Sequence, residues 1–372
     1  MTNERLHQAK RVVVKVGSNI LTARNSLNLD VIDAISSQIC TLIDRGVEVL
    51  LVTSGAMAAG LRKMGMSRRP DEIPRRQAIA AIGQSGLMNA YESVFGRHDK
   101  KVAQILLTSE DLNNRKRYLN ARNALQTLLS WEVVPIINEN DTISVEEIRL
   151  GDNDNLAAMI TLLMDADFLF ILTDIDGLYT KDPRTQPDAQ LIPRVSTFSR
   201  KIVDYADDIP GTLGTGGMLS KVNAAKKVTS AGIPVIVARG DAPDILLELF
   251  SGHPHGTYFL PKAEKMASRK CWIAYTLTPK GSLIIDDGAA AALLEKGKSL
   301  LPSGVVDIDG EFGIGAPVTF RTKIGDALGI GLVNYSAADI RLVKGLKSSQ
   351  IKSCLGGKPY DEIIHRDNLV IT

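Results

Sequence analysis

This chain of 372 residues has few cysteines, no long apolar runs and almost no excess of either charge. Its three cysteines, Cys40, Cys271 and Cys354, lie far apart and form no C-x-x-C pair, which indicates reduced thiols rather than a disulfide framework. The longest apolar runs have the length of strands, well short of the roughly 20 residues that span a bilayer. The polar N-terminus is typical of neither a signal peptide nor a membrane anchor. These absences predict a cytoplasmic protein that has no membrane partner.

The charge is nearly balanced, with 44 lysines and arginines against 42 aspartates and glutamates. A protein held to nucleic acid mainly through phosphate contacts is expected to be more basic than this. The charge therefore gives no independent support for a nucleic-acid partner. The length favours two domains, or one large α/β domain with an appendage.

The first two-thirds of the chain alternate short apolar runs with longer amphipathic ones. The short runs are rich in valine, isoleucine and leucine and show little alternation, which is typical of strands buried on both faces of a sheet. They lie at 12–16, 47–53, 102–107, 133–138, 167–173 and 233–238. Helical patterns at 30–45, 153–164 and 218–231 lie between them. This alternation predicts an α/β fold, a mostly parallel sheet sandwiched by helices.

The pattern changes around 251–270, where a closing turn and a linker are expected. From about residue 278, short apolar runs separated by glycine-containing turns surround one helical stretch at 286–297. This pattern is typical of a small β-barrel-like or α+β domain. We therefore predict two domains, an α/β domain at 1–262 and a β-rich domain at 278–360.

Polar and glycine residues concentrate directly after the predicted strands. Ligands of an open α/β sheet bind at the carboxyl ends of its strands, and these segments suit anions or carboxylates. The segments are 15–18, 54–56, 139–141, 151–155, 173–177 and the glycine-rich 211–221. An unpaired lysine in a strand is costly, so Lys15 is hard to explain structurally. Taken singly, Lys221 is better explained as a solvated helix residue, and the Asp and Asn residues of 151–155 as helix caps.

Several familiar motifs are imitated but incomplete. The 211–221 loop lacks the G-K-[ST] ending of a P-loop, and Leu219 stands where a dinucleotide fingerprint needs its third glycine. The run from Asp152 starts like a calcium loop, yet Leu163 replaces its closing glutamate. The five histidines show no metal spacing, so no metal-ligand set is predicted.

As an ordered set, six segments resemble the motifs of the amino-acid kinase superfamily: VVVKVGSN, LLVTSGAMAAG, INENDT, GDNDNLAA, LTDIDGLYTKDPR and GTGGMLSK. They cover roughly residues 10–260. The combination of INEND with GDNDNLAA, and of GTGGM with a lysine three residues on, is similar to the glutamate 5-kinases within that superfamily. The tail from DDGAAAALLEKGKSLLPSGV onward resembles a PUA domain, which many bacterial members carry.

The resemblance implies roles for particular residues. Lys15 and Lys221 match lysines that contact the transferring phosphoryl group, and Asp154 matches an aspartate that orients them. Substrate-binding positions correspond to Ser54, Asp141 and Asn153. The nucleotide-binding positions are Lys15, Thr173, Asp174, Thr215, Gly216, Gly217, Met218, Leu219, Ser220 and Lys221.

The activity implied by the resemblance is ATP-dependent phosphorylation of the glutamate γ-carboxylate to γ-glutamyl phosphate, the first step toward proline. ATP and Mg²⁺ are the implied cofactors, proline is the implied feedback inhibitor, and we expect a homo-oligomer, a dimer or a tetramer. A glutamate side chain, with a pKa of about 4.3, is already an anion at neutral pH. No general base is needed, so catalysis should depend on positioning and positive charge. Asp141 is the candidate partner of the substrate ammonium.

Two alternatives remain open. The nearest is a kinase of the same fold that acts on aspartate, acetylglutamate, carbamate or UMP. The other is an RNA-binding or RNA-modification accessory protein that works through its C-terminal domain. Residues 280–358 contain ten lysines and arginines and eight aspartates and glutamates, with no evident aromatic or basic cluster. A structural or regulatory role for this domain is an equal expectation.

Overall fold

The computed structural model describes residues 2–23, 26–143, 153–207, 209, 217–261, 266–357 and 360–371. It divides into two compact units, Met1–Lys265 and Met266–Thr372. The domain limits proposed from the sequence, 1–262 and 278–360, stay a prediction. Among the described residues, no helix is both long enough and apolar enough to cross a membrane.

The first unit is built on one eight-stranded sheet, with a two-stranded hairpin beside it. Its strands are β1 (Arg11–Val16), β2 (Thr22–Ala23), β3 (Ser26–Leu27), β4 (Glu48–Val52), β5 (Lys101–Leu107), β6 (Val133–Glu139), β7 (Phe168–Thr173), β8 (Arg194–Val195), β9 (Val235–Arg239) and β10 (Thr257–Phe259). The order across the sheet is β5-β6-β4-β1-β7-β9-β10-β8, and β2 pairs with β3. The first six strands in that order are parallel. All six predicted runs are therefore confirmed as parallel strands of one sheet.

Alternation along β1 sends its side chains to opposite faces of the sheet. Val12, Val14 and Val16 join a buried apolar cluster on one face. Val13 and Lys15 point to the other face, and β1 also contacts the helix at Asn153–Leu163. The buried strand thus delivers a single lysine to the helix that begins at Asn153.

Eleven helices of the first unit lie within the described residues. They are α1 (Thr2–His7), α2 (Ser18–Leu21), α3 (Leu29–Asp44), α4 (Ala56–Lys63), α5 (Ile73–Arg97), α6 (Ser109–Asn113), α7 (Arg115–Ser130), α8 (Asn153–Leu163), α9 (Arg200–Asp207), α10 (Met218–Ser230) and α11 (Ile245–Phe250). The helices predicted at 30–45, 153–164 and 218–231 are confirmed as α3, α8 and α10. The chain turns out of α3 at Gly46, whose φ of +84° favours glycine.

Helices α4 and α5 approach so closely that two glycines are required at their contact. A Cβ atom on Gly83 would lie 1.8 Å from the carbonyl oxygen of Ala56 and 2.4 Å from the amide nitrogen of Gly60. A Cβ atom on Gly60 would lie 1.9 Å from the carbonyl oxygen of Ile79. Backbone therefore packs on backbone, which fixes α5 against the start of α4.

The second unit contains a five-stranded sheet in the order β12-β11-β13-β14-β15. Its elements are α12 (Ser268–Tyr275), β11 (Ser282–Ile285), α13 (Asp287–Lys296), β12 (Val305–Asp309), β13 (Pro317–Arg321), β14 (Ala327–Leu332), α14 (Ala337–Val343), α15 (Ile351–Leu355) and β15 (Leu369–Ile371). Asp286 caps α13 by accepting from the Ala289 amide at 2.6 Å, and Gly297 ends it with a φ of +55°. The predicted β-rich fold and its embedded helix are confirmed.

The α4–α5 contact generates a stability prediction. Gly83→Ala should lower the free energy of unfolding by about 3 kcal/mol, because the new methyl group has no space against backbone atoms. Gly86→Ala on the same helix meets nothing within 4 Å, and should raise it by about 0.5–1 kcal/mol. Urea unfolding followed by circular dichroism measures both. Equal stability of the two variants would contradict the packing described for α4 and α5.

Candidate active site

The centre of the site is one buried carboxylate shared by two buried lysines. Oδ1 of Asp154 lies 2.5 Å from Nζ of Lys15, and Oδ2 lies 3.1 Å from Nζ of Lys221. Asp154 is 0% exposed, Lys15 3% and Lys221 4%. Two ammonium groups and one carboxylate leave one excess positive charge in this cluster. A buried cationic cluster attracts anions far more strongly than solvated lysines do.

Three elements of the first unit deliver these side chains. Lys15 is the penultimate residue of β1, Asp154 lies in the first turn of α8, and Lys221 lies in the first turn of α10. An aspartate in the first turn of a helix is stabilised by the helix dipole. The sequence interpretation of Lys221 as a solvated helix residue, taken singly, is wrong, because α10 packs on α8 and buries it.

A second lysine of α10 strengthens the same contact between helices. Nζ of Lys227 donates to Oδ1 of Asn155 at 2.5 Å, and Asn155 is the neighbour of Asp154. Burial lowers the pKa of Lys227. The start of α8 is thus held to α10 at two adjacent residues. The pair of Lys227 and Asn155 was not predicted from the sequence.

Beside the lysines lies a chain of polar side chains around Ser54. Nδ2 of Asn153 donates to Oγ of Ser54 at 2.9 Å and to Oδ1 of Asn138 at 3.1 Å. Nδ2 of Asn138 in turn donates to Oε1 of Gln84 at 2.9 Å. Two of the predicted substrate-binding residues therefore meet directly. Asn138 and Gln84 were missed, although a buried amide at the end of the apolar run 133–138 is a signal that could have found Asn138.

Asp141 follows β6 in a turn at the same edge of the sheet. Burial raises the pKa of Asp141 to about 6, the carboxylate of Glu139 adds to the rise, and Arg69 opposes it. A carboxylate with this environment gains from a cationic ligand, because such a ligand relieves the cost of its burial. This matches the predicted role of Asp141 toward an ammonium group, which stays a prediction.

Among the residues predicted to bind the nucleotide, Thr173 and Asp174 lie at the carboxyl end of β7. Asp174 accepts from Oγ1 of Thr173 at 3.0 Å and from Nδ2 of Asn19 at 2.9 Å. Burial alone would raise the pKa of Asp174, but these hydrogen bonds, a backbone hydrogen bond and the charge of Lys221 outweigh it and lower the pKa. Asp174 is therefore held as an anion close to the lysine cluster. Asn19, on α2, was not predicted.

The remaining predicted nucleotide residues belong to the segment that enters α10. Gly217 is the N-cap of α10, and Met218, Leu219 and Ser220 are its first three residues. The first amides of a helix and its dipole suit a phosphate group. Thr215 and Gly216 lie outside the described residues, as do Gly151 and Asp152. Within the described part of the chain, no group of three or more His, Cys, Asp or Glu side chains is arranged to hold a metal.

Comparisons with known proteins relate this chain to two families. The family model described as amino acid kinase family matches residues 10–239, and the PUA domain model matches residues 281–355. Among solved structures, carbamate kinase from Giardia lamblia bound to AMP-PNP is similar over 69% of this chain and 100% of its own, with 18% identity and a TM-score of 0.49. Because the amino acid kinase family model covers more than half of the sequence, the chain belongs to that family. It also carries a C-terminal PUA domain.

Within that family, the chain is a member of the glutamate 5-kinase group. It is 50% identical over 366 residues to glutamate 5-kinase from Syntrophus aciditrophicus, covering 98% of this chain and 95% of the relative. It is also 50% identical over 367 residues to glutamate 5-kinase from Geobacter sulfurreducens, covering 98% of each chain. The relationship spans both units, so it includes the PUA domain as well as the kinase part.

The shared carboxylate generates a prediction about stability. Asp154→Asn should lower the free energy of unfolding by about 3–5 kcal/mol, because it leaves two buried ammonium groups without their carboxylate. The matched control is Asp188→Asn, which breaks the exposed pair between Asp188 and Lys181, 2.6 Å apart. That control should change stability little, since water screens exposed pairs. Urea unfolding measures both, and an equally small loss in each would refute the importance of the buried cluster.

Proposed function

We propose that this protein transfers the γ-phosphoryl group of ATP to the side-chain carboxylate of glutamate, forming γ-glutamyl phosphate and ADP. The observation that carries the proposal is the buried cluster of Lys15, Asp154 and Lys221 at the carboxyl end of a parallel sheet. Membership of the glutamate 5-kinase group, at 50% identity over nearly the whole chain, supplies the substrate class.

The reaction brings two anions together, and the site is built to reduce their repulsion. A carboxylate oxygen of glutamate attacks the γ-phosphorus of ATP, and the bond from that phosphorus to the β,γ-bridging oxygen breaks as ADP leaves. The attacking oxygen carries no proton at neutral pH, so no base is needed. Lys15 and Lys221 face the charge that spreads over the transferring group, and Asp154 holds both ammonium groups in place before the reaction starts.

Recognition of the acceptor falls to the polar chain beside the lysines. Ser54 and Asn153, hydrogen-bonded to each other, are proposed to bind glutamate through its polar groups. Asp141 is proposed to accept from the α-ammonium group, whose positive charge offsets the cost of burying its carboxylate. These three roles are proposals supported by the placement of the residues at one edge of the sheet.

ATP is proposed to lie between Thr173 and Asp174 on one side and the start of α10 on the other. Mg²⁺ bound to ATP commonly takes most of its ligands from phosphate oxygens and water, with one or two protein carboxylates. Asp174, kept ionised by Asn19 and Thr173, is the carboxylate that fits this need. When bound, the ion would neutralise charge on the β- and γ-phosphates.

Four finer proposals accompany this function. The reaction would be the first step toward proline, proline would inhibit in competition with glutamate, the protein would form a dimer or a tetramer, and it would act in the cytoplasm. They rest on the group to which the chain belongs. RNA binding through the PUA domain, the alternative raised by the sequence, has no supporting observation beyond the presence of that domain.

The proposed reaction is tested by incubating the full-length protein with Mg-ATP, glutamate and hydroxylamine. Hydroxylamine traps an acyl phosphate as a stable hydroxamate, so a hydroxamate that gives a coloured complex with ferric iron should appear together with ADP. Parallel reactions contain aspartate, acetylglutamate or carbamate as the acceptor. Equal or faster turnover of any of these acceptors would overturn the choice of glutamate.

The lysine cluster predicts a specific kinetic defect. Lys15→Ala or Lys221→Ala should lower kcat by roughly 100- to 1,000-fold, because each removes a preorganised positive charge from the transition state. The KM for glutamate should change much less, since ground-state binding depends on other residues. Steady-state kinetics on variants whose circular dichroism matches that of the parent protein measure this.

The control is Lys226→Ala, which removes an exposed lysine from the same helix and should leave kcat unchanged. A Lys221→Ala enzyme with near-normal kcat would exclude the two-lysine mechanism.

The raised pKa of Asp141 predicts the pH dependence of glutamate capture. Below pH of about 6 this carboxyl group is protonated in the free enzyme and no longer attracts the ammonium group. The value of kcat/KM for glutamate should therefore fall as the pH drops through about 6, and be flat above it. Asp141→Asn should lower kcat/KM at neutral pH and remove this acid limb. An acid limb that persists in Asp141→Asn would assign it to another group.

A further inference from the structure

A continuous chain of side-chain amides connects helix α5 to the residues proposed to bind glutamate. Oε1 of Gln84 accepts from Nδ2 of Asn138 at 2.9 Å, and Oδ1 of Asn138 accepts from Nδ2 of Asn153 at 3.1 Å. Asn153 then donates to Oγ of Ser54 at 2.9 Å. Gln84 lies at the far end of this chain, one step removed from the proposed ligand-binding side chains.

The series of hydrogen bonds from Gln84 to Ser54 forms only when the Asn138 amide has one orientation. Asn138 is 2% exposed, so its polar atoms need protein partners. Its Oδ1 receives two donors, Nδ2 of Asn153 and the backbone amide of Glu139 at 2.9 Å. Its Nδ2 donates to Gln84. Without that acceptor, a buried N–H donor would lose its partner and the amide would gain freedom to turn away from Asn153.

Gln84 is a poor choice for stability alone. Its Nε2 is buried and has no hydrogen-bond partner among the residues that the structure describes. A buried donor without a partner is costly, and native structures keep few of them. A leucine would avoid that cost and still fill the space, but it would leave Nδ2 of Asn138 without its acceptor. The glutamine is therefore better explained by its acceptor, Oε1, than by packing.

The backbone next to Gln84 is fixed in relation to Ser54. Its neighbour Gly83 lies against the carbonyl oxygen of Ala56, where even a Cβ atom would not fit. Ala56 is the first residue of α4 and follows Ser54 by two positions. Gln84 and Ser54 are thus attached to two backbone segments in direct contact. The hydrogen-bonded amides therefore join two residues whose distance is fixed by this packing.

We propose that Gln84 is a positioning residue of the glutamate site. It fixes the amide of Asn138, and through it the side chain of Asn153, in the orientation that meets the substrate beside Ser54. The proposal rests on the proposed function, because it concerns the same site. It assigns glutamate affinity partly to a residue of α5 that is not proposed to touch glutamate or ATP.

The test replaces the amide with an apolar side chain of similar size and separates affinity from stability. Gln84→Leu should raise the KM for glutamate by about 10-fold, because a buried donor loses its partner and Asn153 loses its fixed orientation. The KM for ATP should stay within about twofold. The melting temperature should not fall, since the unpaired Nε2 is removed as well. Asn89→Leu, which also replaces a side-chain amide with leucine but at an exposed position of α5, is the control and should change neither KM.

A double variant shows whether Gln84 acts through Asn153. The double variant Gln84→Leu/Asn153→Ala should have a KM for glutamate close to that of Asn153→Ala alone. The effects of substitutions within one hydrogen-bonded network are not additive. Full additivity would overturn the proposal. So would an unchanged glutamate KM in Gln84→Leu, or a parallel rise of both KM values with a lower melting temperature.

If Gln84→Leu does not fold, Gln84→Met, which is unbranched and lacks the amide, takes its place in every comparison. The proposed function is checked separately in the parent protein. No hydroxamate from glutamate in the parent would overturn the function, whereas an active parent with an unchanged glutamate KM in the variant would overturn only the role of Gln84.

Discussion

The rest of the first unit depends on the carboxylate of Asp154, because a fully buried charge must be paired. Its two partners come from β1 and α10, and Asp154 itself comes from α8, so three elements must converge within hydrogen-bond distance. Displacing any of them would leave a charge buried alone. The contact of Lys227 with Asn155 holds α8 and α10 at the next residue. The free energy of folding compensates the burial of these charges. The two lysines are therefore in position before any substrate binds.

A second, uncharged network complements the first. The amides of Gln84, Asn138 and Asn153 join α5, β6 and α8, and Ser54 adds the end of β4. Amides and hydroxyls contribute direction rather than net charge, so they are suited to orienting an acceptor. The backbone contact at Gly83 gives this network a rigid frame. In the proposed function, the lysines would reduce repulsion between the two anions, and the amides would orient the acceptor against them.

The sequence could predict whatever depends on local pattern. Buried parallel strands give uninterrupted apolar runs, so all six were found, and α3, α8 and α10 followed from their periodicity. Lys15 was suspected because a charge in a buried strand is costly. Lys221 was misread when taken singly, since nothing local shows that α8 covers it. Gln84 and its contact with Asn138 were missed because a hydrogen bond between residues 54 positions apart leaves no periodic trace in the sequence.

The lysines alone could not select glutamate over other acceptors. A cationic cluster lowers the barrier for any anion placed against the γ-phosphoryl group, so aspartate, carbamate and a nucleotide phosphate would all gain from it. Selection needs groups that respond to the rest of the acceptor. With its pKa raised to about 6, Asp141 is charged at neutral pH at the cost of partial burial. An ammonium group relieves that cost, whereas an acceptor without one leaves the charge unpaired. In the proposed role of Asp141, acceptors without an ammonium group, such as carbamate and a nucleotide phosphate, would carry a penalty that the lysine cluster cannot provide, whereas aspartate, which has an ammonium group, would not be rejected in this way.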